Sequence, residues 1–175
     1  MRVRSWVMPV LLVLLAGCSR SGSQSTSGGT GAPVDVEAAR AAAKAVIDRL
    51  PQAMMNKDTT AVSEIFAHDP EMVVFGTDST EHWVGFDAVE QGMNAEIVAF
   101  TNTKIDVRDQ KIEIDPAGDV AWFSQIMDWD FDMGGQHVHA PGVRATGVVV
   151  QRDGAWKMEQ FHGSLPAGGT SPPAH

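Results

Sequence analysis

One cysteine and no tyrosine occur in the 175 residues. With Cys18 alone, no intrachain disulfide can form, and the body of the chain holds no thiol nucleophile. Any domain downstream must therefore hold together by its core. Without tyrosine, no phenol can donate a hydrogen bond to an oxyanion. Gly-x-Ser-x-Gly is missing, so the strained turn that exposes a serine nucleophile has no candidate. Neither a phosphate-binding glycine loop nor a complete metal motif is found, and no cofactor is expected. Basic residues are few: 13 Lys and Arg face 22 Asp and Glu, for a formal charge of −9. Such an acidic surface disfavours nucleic acid and anionic lipid as partners.

What is there begins with MRVRSWVMPVLLVLLAGC. Arg2 and Arg4 precede an apolar run from Val7 to Leu15 that is too short to span a bilayer and has the anatomy of a signal peptide. Leu15-Ala16-Gly17-Cys18 resembles a bacterial lipobox, which implies cleavage after residue 17 and a lipid anchor on Cys18. An ordinary secretory signal with an incidental cysteine is the alternative. Loss of Arg2 and Arg4 with the signal leaves −11 on the mature chain. Ser19 is not the aspartate that retains many lipoproteins in the inner membrane. The expected location is the bacterial cell envelope, lipid-anchored to the outer membrane and facing the periplasm. Residues 18–33 are rich in Ser, Gly and Thr and read as a flexible tether. Residues 34–165 have the size of one domain, and residues 166–175 read as a disordered tail.

Within the domain, helices come first and strands after. Asp35 can cap an Ala-rich helix whose Val36, Ala39, Ala43, Val46, Ile47 and Leu50 recur at near-helical spacing. Pro51 is expected to kink or interrupt it. Asp58 or Thr59 starts a short second helix. After the strand MVVFG, Phe86, Val89, Met93, Ile97 and Phe100 form the buried stripe of a third, near residues 86–99. From Lys104 onward the pattern alternates, in four long segments separated by Pro116-Ala117-Gly118, Gly134-Gly135 and Asp153-Gly154. The fold class is α+β: helices packed in a strongly curved antiparallel sheet.

The final hairpin carries the candidate site. A three-residue loop, Arg152-Asp153-Gly154, puts Val148 and Val150 on one face with Trp156 and Met158, and burial favours that register. It sets His162 opposite Arg144 and Gln160 opposite Thr146. One face then carries Arg144, Thr146, Trp156, Met158, Gln160, His162 and Ser164, apolar at the turn and polar at the far end, as a pocket wall would be. His162 is the candidate general base, because imidazole titrates near neutrality. His162 and Ser164 are not a nucleophilic pair, since alternate residues on one strand face sit about 6–7 Å apart. The plain alternative is a satisfied buried network that only shapes the core. Asp106 and Asp128 are further carboxylates on strands.

GVRATGVVVQRDGAWKMEQFHGS resembles the closing hairpin of SnoaL-like domains, with Arg-x-Thr, a Val-rich strand, Asp-Gly, Trp and a final His-x-Ser. AVSEIFAHDPEMVVFGTD, the Trp83-x-Gly85 segment and GDVAWFS are similar to the same family, a branch of the nuclear transport factor 2-like superfamily. The resemblance covers residues 36–165. It implies a conical fold enclosing a cavity, often dimeric, with Trp83 beside the pocket, and it does not imply one function. Ketosteroid isomerase relatives use a tyrosine as oxyanion donor, so that mechanism does not carry over to a chain with none.

Two more features call for expectations. DWDFDMGGQHVH folds as a hairpin that sets Asp132 opposite His137 and Asp130 opposite His139. These four are a weak candidate for a divalent metal, against simple charge pairing at an exposed tip. In DVAWFSQIMDWDF, Val120, Trp122 and Ile126 share one face, while Ala121, Phe123, Met127, Trp129 and Phe131 share the other. Helices cover one side, and a homodimer is expected to cover the second. Two functions stand: a tethered module binding a small, partly apolar organic ligand or a protein partner without catalysis, or a cofactor-independent acid–base enzyme of isomerase, dehydratase or cyclase type using His162.

Overall fold

The computed structural model describes residues 34–167. Cys18, the segment before it, the tether and the tail beyond residue 167 lie outside the described residues. Helix α1 spans Val36–Asn56, and Asp35 caps it by accepting the Ala38 N–H at 3.0 Å. Pro51 does not interrupt it. The proline removes only the donor that would serve the Ile47 carbonyl. Leu50, Pro51, Ala53 and Met54 are all buried, so packing on both sides of the missing bond holds the turn in place. Lys57, in the left-handed region at φ 57°, ends the helix with its N–H on the Ala53 carbonyl. Helix α2 (Thr60–Ile65) is started by Asp58, whose carboxylate accepts from Thr60 N, Ala61 N and the Thr60 hydroxyl at 2.7–3.2 Å. Helix α3 spans Phe86–Ala99 and buries Val89, Met93 and Ile97, the expected stripe.

The strands are β1 (Val73–Phe75), β2 (His82–Val84), β3 (Thr101–Ile114), β4 (Val120–Met133), β5 (Gln136–Arg152) and β6 (Ala155–Ser164). They form one sheet in the order β2-β1-β6-β5-β4-β3. Strands β3 to β6 are an antiparallel meander, and β1 joins β6 in parallel. Helix α1 packs across β3, β5 and β6, so the core lies between the helices and one face of a curved sheet. Asp115 holds the β3–β4 turn by accepting four backbone N–H groups between residues 117 and 120, at 2.9–3.1 Å.

The β5–β6 register differs from the expected one. Arg152 pairs with Ala155, so the loop has two residues, Asp153 (φ 52°) and Gly154 (φ 81°), both left-handed as a tight hairpin turn requires. Val149, not Val148 or Val150, then faces inward opposite Met158. A bulge follows, in which Glu159 is the extra residue, and it exchanges the faces of β6. Before the bulge Trp156 and Met158 are buried; after it Phe161 and Gly163 are. The inward face of β5 is Val143, Ala145, Gly147 and Val149, uniformly apolar but small. His162 consequently stands opposite Thr146, and Ser164 opposite Arg144.

Candidate functional site

Between α1, α3 and the inner face of the sheet lies a partly enclosed cavity of about 50 Å³, several times the space one water molecule needs. Ile47, Leu50 and Met54 of α1 and Met93 of α3 supply aliphatic walls, and Phe100, Phe123, Trp129 and Phe161 supply aromatic ones. Pro51 lines it too. Against this apolar surface stand three polar side chains whose position gives them chemistry: Glu81, Glu96 and Gln125.

Glu96 lies on α3 between Met93 and Ile97, at the edge of the buried stripe. Burial pushes its carboxyl up to about 8, assisted by the negative charge of Glu81 and a hydrogen bond between the two side chains. At neutral pH Glu96 therefore keeps its proton, in a hydrogen bond with Glu81. Glu81 stands just before β2 and also accepts the Asp78 N–H at 2.8 Å. Among the described residues, Glu81 and Glu96 are the only titratable groups lining the cavity, and no cation takes part in setting the Glu96 equilibrium.

Gln125, on the inner face of β4, is 3% exposed and is the one buried polar side chain among the described residues. Its Oε1 accepts from Gln110 Nε2 at 2.9 Å, and Gln110 also donates to Asp48 of α1 at 2.8 Å. The Gln125 amide nitrogen has a single acceptor, the Met127 thioether sulfur at 3.4 Å. A carboxamide carries two N–H donors and sulfur is a weak acceptor, so one donor is left over in a cavity wall.

The expected pocket residues divide. Met158 lines the cavity and Trp156 is buried on the same side of the sheet. Trp83 is half-buried against α3 and leaves room there only for Gly92, where a Cβ would stand 2.6 Å from the indole Cζ2. Arg144, Thr146, Gln160, His162 and Ser164 lie on the opposite, outer face. His162 is exposed and meets the Phe75 ring edge-on at 5.7 Å. The bulge at Glu159 is the reason, since one extra residue sends every later side chain to the other face. Of the strand aspartates, Asp128 accepts the Gly142 N–H at 2.7 Å and Arg108 Nε at 3.3 Å, and these bonds hold its carboxyl below the usual range. It clamps the β4–β5 irregularity. Asp106 is exposed and paired with Lys104.

An apolar cavity behind a six-stranded curved sheet, helices on one side, is the architecture the closing hairpin suggested. The SnoaL-like domain family matches residues 43–168. The chain belongs to that family. No curated protein matches it in sequence. Among solved structures, a nuclear transport factor 2-like superfamily protein of Salmonella enterica is similar with TM-score 0.68 at 16% identity, over 79% of this chain and 99% of that one. A nuclear transport factor 2-like protein of unknown function from Pseudomonas putida gives TM-score 0.62 at 20% identity, covering 79% and 94%. A Streptomyces avermitilis member of that family, named for a proposed dehydratase activity, gives 0.66 at 16%, covering 75% and 99%. At these identities the likeness establishes the fold.

In this SnoaL-like domain the tip hairpin has the expected register, Asp130 opposite His139 and Asp132 opposite His137. Its side chains pair off: His139 Nδ1 to Asp130 at 2.9 Å and His137 Nδ1 to Asp132 at 3.0 Å. Among the described residues, no group of three or more His, Cys, Asp or Glu converges to hold a metal ion. The residues that sequence reasoning passed over are Glu81, Glu96 and Gln125. Gln125 was open to detection, as the one polar side chain in the inward series Ala121, Phe123, Gln125, Met127. Glu96 breaks the apolar stripe of α3 at Met93, Ile97 and Phe100 in the same way.

Proposed function

We propose that this SnoaL-like domain binds a small, partly apolar organic ligand in the cavity behind the sheet, without catalysis, while tethered by lipid on Cys18 to the bacterial envelope. The observation that carries the reading is the cavity itself: apolar walls with a hydrogen-bonded carboxyl pair and a spare amide N–H, groups that are costly to bury unpaired. A small neutral probe with a polar handle, 1,2-propanediol, tests it by ligand-observed NMR on the full chain. Gly163 lines the cavity, and a Cβ there meets nothing closer than 3.5 Å, so Gly163→Leu should project into the space and abolish binding, with circular dichroism confirming that the variant is folded. His162→Ala, on the outer face, should leave binding unchanged and stability within about 0.5 kcal/mol. Equal binding by wild type and Gly163→Leu would sink the reading.

Glu96 favours a second reading. A carboxyl protonated at neutral pH beside a second carboxyl, in a largely apolar cavity, is an acid–base arrangement for an isomerase, dehydratase or cyclase step. It moves the role from His162 to Glu96 and Glu81. Glu96→Gln would then end turnover of a bound substrate while keeping its binding.

The homodimer belongs to the same proposal. The outer face of β4 presents Val120, Trp122 and Ile126, with Trp122 50% exposed, beside half-buried Val148 and Val150 of β5. This apolar stretch is what a second copy would cover. Trp122→Glu should leave a monomer in light scattering.

A further inference from the structure

Resting on the cavity reading above, we infer that the ligand is a small amine: an ammonium group on the Glu81–Glu96 pair, an apolar or aromatic body along the walls, and an acceptor oxygen for Gln125. The argument is one of complementarity. Two carboxyls face one cavity, and among the described residues its lining has no lysine, arginine or histidine to balance them. A carboxylate or phosphate ligand would add negative charge to this site and be repelled. A neutral ligand would leave the Glu96 proton in place and gain only hydrogen bonds. An ammonium ion supplies the missing cation, and its three donors suit two carboxylates. The remaining walls agree, since Phe100, Phe123, Trp129 and Phe161 present ring faces and edges on which a cation and an aromatic body are both favourable. The Gln125 side chain, 3% exposed and with one N–H left without a partner, asks for an oxygen elsewhere on the same molecule.

Binding then has a proton balance. An ammonium arriving below the Glu96 midpoint displaces the Glu96 proton, and that proton leaves to solvent. Affinity for the amine must therefore rise with pH as long as the amine stays protonated. Neutral analogues show no such dependence.

Three probes of one shape, small enough for the cavity, decide it with the full chain: 1-amino-2-propanol, 1,2-propanediol and lactate, which differ in an ammonium, a hydroxyl and a carboxylate. Isothermal titration at pH 7 in two buffers of different ionisation enthalpy reads both affinity and proton release. The expected result is an amine at least 10-fold tighter than the diol, lactate without binding, and release of up to one proton. In the Glu81→Gln and Glu96→Gln variants, the amine should fall to the level of the diol while the diol stays within about 3-fold. With the wild type alone, amine affinity should climb from pH 6 to pH 8.5. A diol as tight as the amine, or an amine preference that survives both substitutions, overturns the amine and leaves the cavity standing. Stoichiometric calcium or zinc blocking the amine would reassign the carboxyls to a metal ion and overturn it as well. Failure of all three probes to bind overturns the cavity reading too.

Discussion

Gly147→Ala is expected to be among the most damaging single-methyl changes in the domain. Gly147 sits mid-strand in β5, where alanine normally gains about 0.4–1 kcal/mol by restricting the unfolded chain. Here a Cβ would stand 2.5 Å from the Gln160 carbonyl oxygen of β6 and 2.6 Å from Phe123 Cε1 of β4. The first is backbone and cannot move without breaking the β5–β6 pairing next to the bulge. The second belongs to a ring that is itself buried in the cavity wall. Overpacking of this kind costs about 1–3 kcal/mol and occasionally more, so the entropic gain loses. A net loss of about 1–2 kcal/mol should lower the melting temperature by roughly 5 °C. Phe123→Leu in the same chain should recover only part of it, because the carbonyl contact remains. Melts of the two single variants and the double variant measure that coupling, and a Gly147→Ala protein as stable as wild type would refute the packing described.

Glu96→Gln is expected to do the reverse, and only above mildly acidic pH. The folded protein keeps the Glu96 proton up to about pH 8, whereas the unfolded chain releases it near 4.5. Between those values the native state binds more protons, so stability falls as pH rises, and above pH 8 the loss is complete. A shift of that size corresponds to about 5 kcal/mol in full. Partial solvent contact of the carboxyl cuts that to about 2 kcal/mol. Glutamine copies the protonated carboxyl and has no proton to lose. The variant should match wild type near pH 4.5 and exceed it by about 2 kcal/mol at pH 9, in urea unfolding across the range. The opposite slope appears at the acid end. Asp58, Asp115 and Asp128 hold their carboxyls below the usual value by hydrogen bonds to the ionised form, so their contribution fades as pH drops through that region. Wild type should consequently be most stable in mild acid. Indistinguishable pH curves for wild type and Glu96→Gln would remove the buried carboxyl from the account.

Much of the architecture was legible because it follows from local rules. Asp35 before an Ala-rich run, the 3–4 spacing of Val89, Met93 and Ile97, and long alternating strands broken by turn formers each name an element without reference to the rest of the chain. The face of β6 was not legible in that way. Three consecutive valines, Val148 to Val150, let either register look buried, and the larger residues favoured the wrong one. The inward position Gly147 is small because Phe123 presses on it, a fact about a neighbouring strand that composition does not display. A single bulge residue then decided whether His162 met the cavity or the solvent. The polar groups that do meet it come from separate places, among them residues 77, 81, 96, 125 and the indole of 129, and only the folded chain brings them together. Pro51 taught a related lesson: its local cost was read correctly, but burial on both sides outweighed it.

The position of β6 in the sheet has a consequence for how the chain comes to be folded. Its ten residues are the last of the described strands to be made, yet they lie between β5 and β1. Until residues 155–164 have left the ribosome, the β1–β2 hairpin has no strand to rest against, and a lone hairpin is marginal in water. Closure must wait for a contact spanning some 90 residues, which slows folding relative to a chain built from local contacts. The β1–β2 hairpin therefore stays unsupported until β6 arrives. That position also makes the C-terminal strand the part whose loss by proteolysis would cost most, because cutting before residue 155 splits the sheet in two rather than trimming its edge.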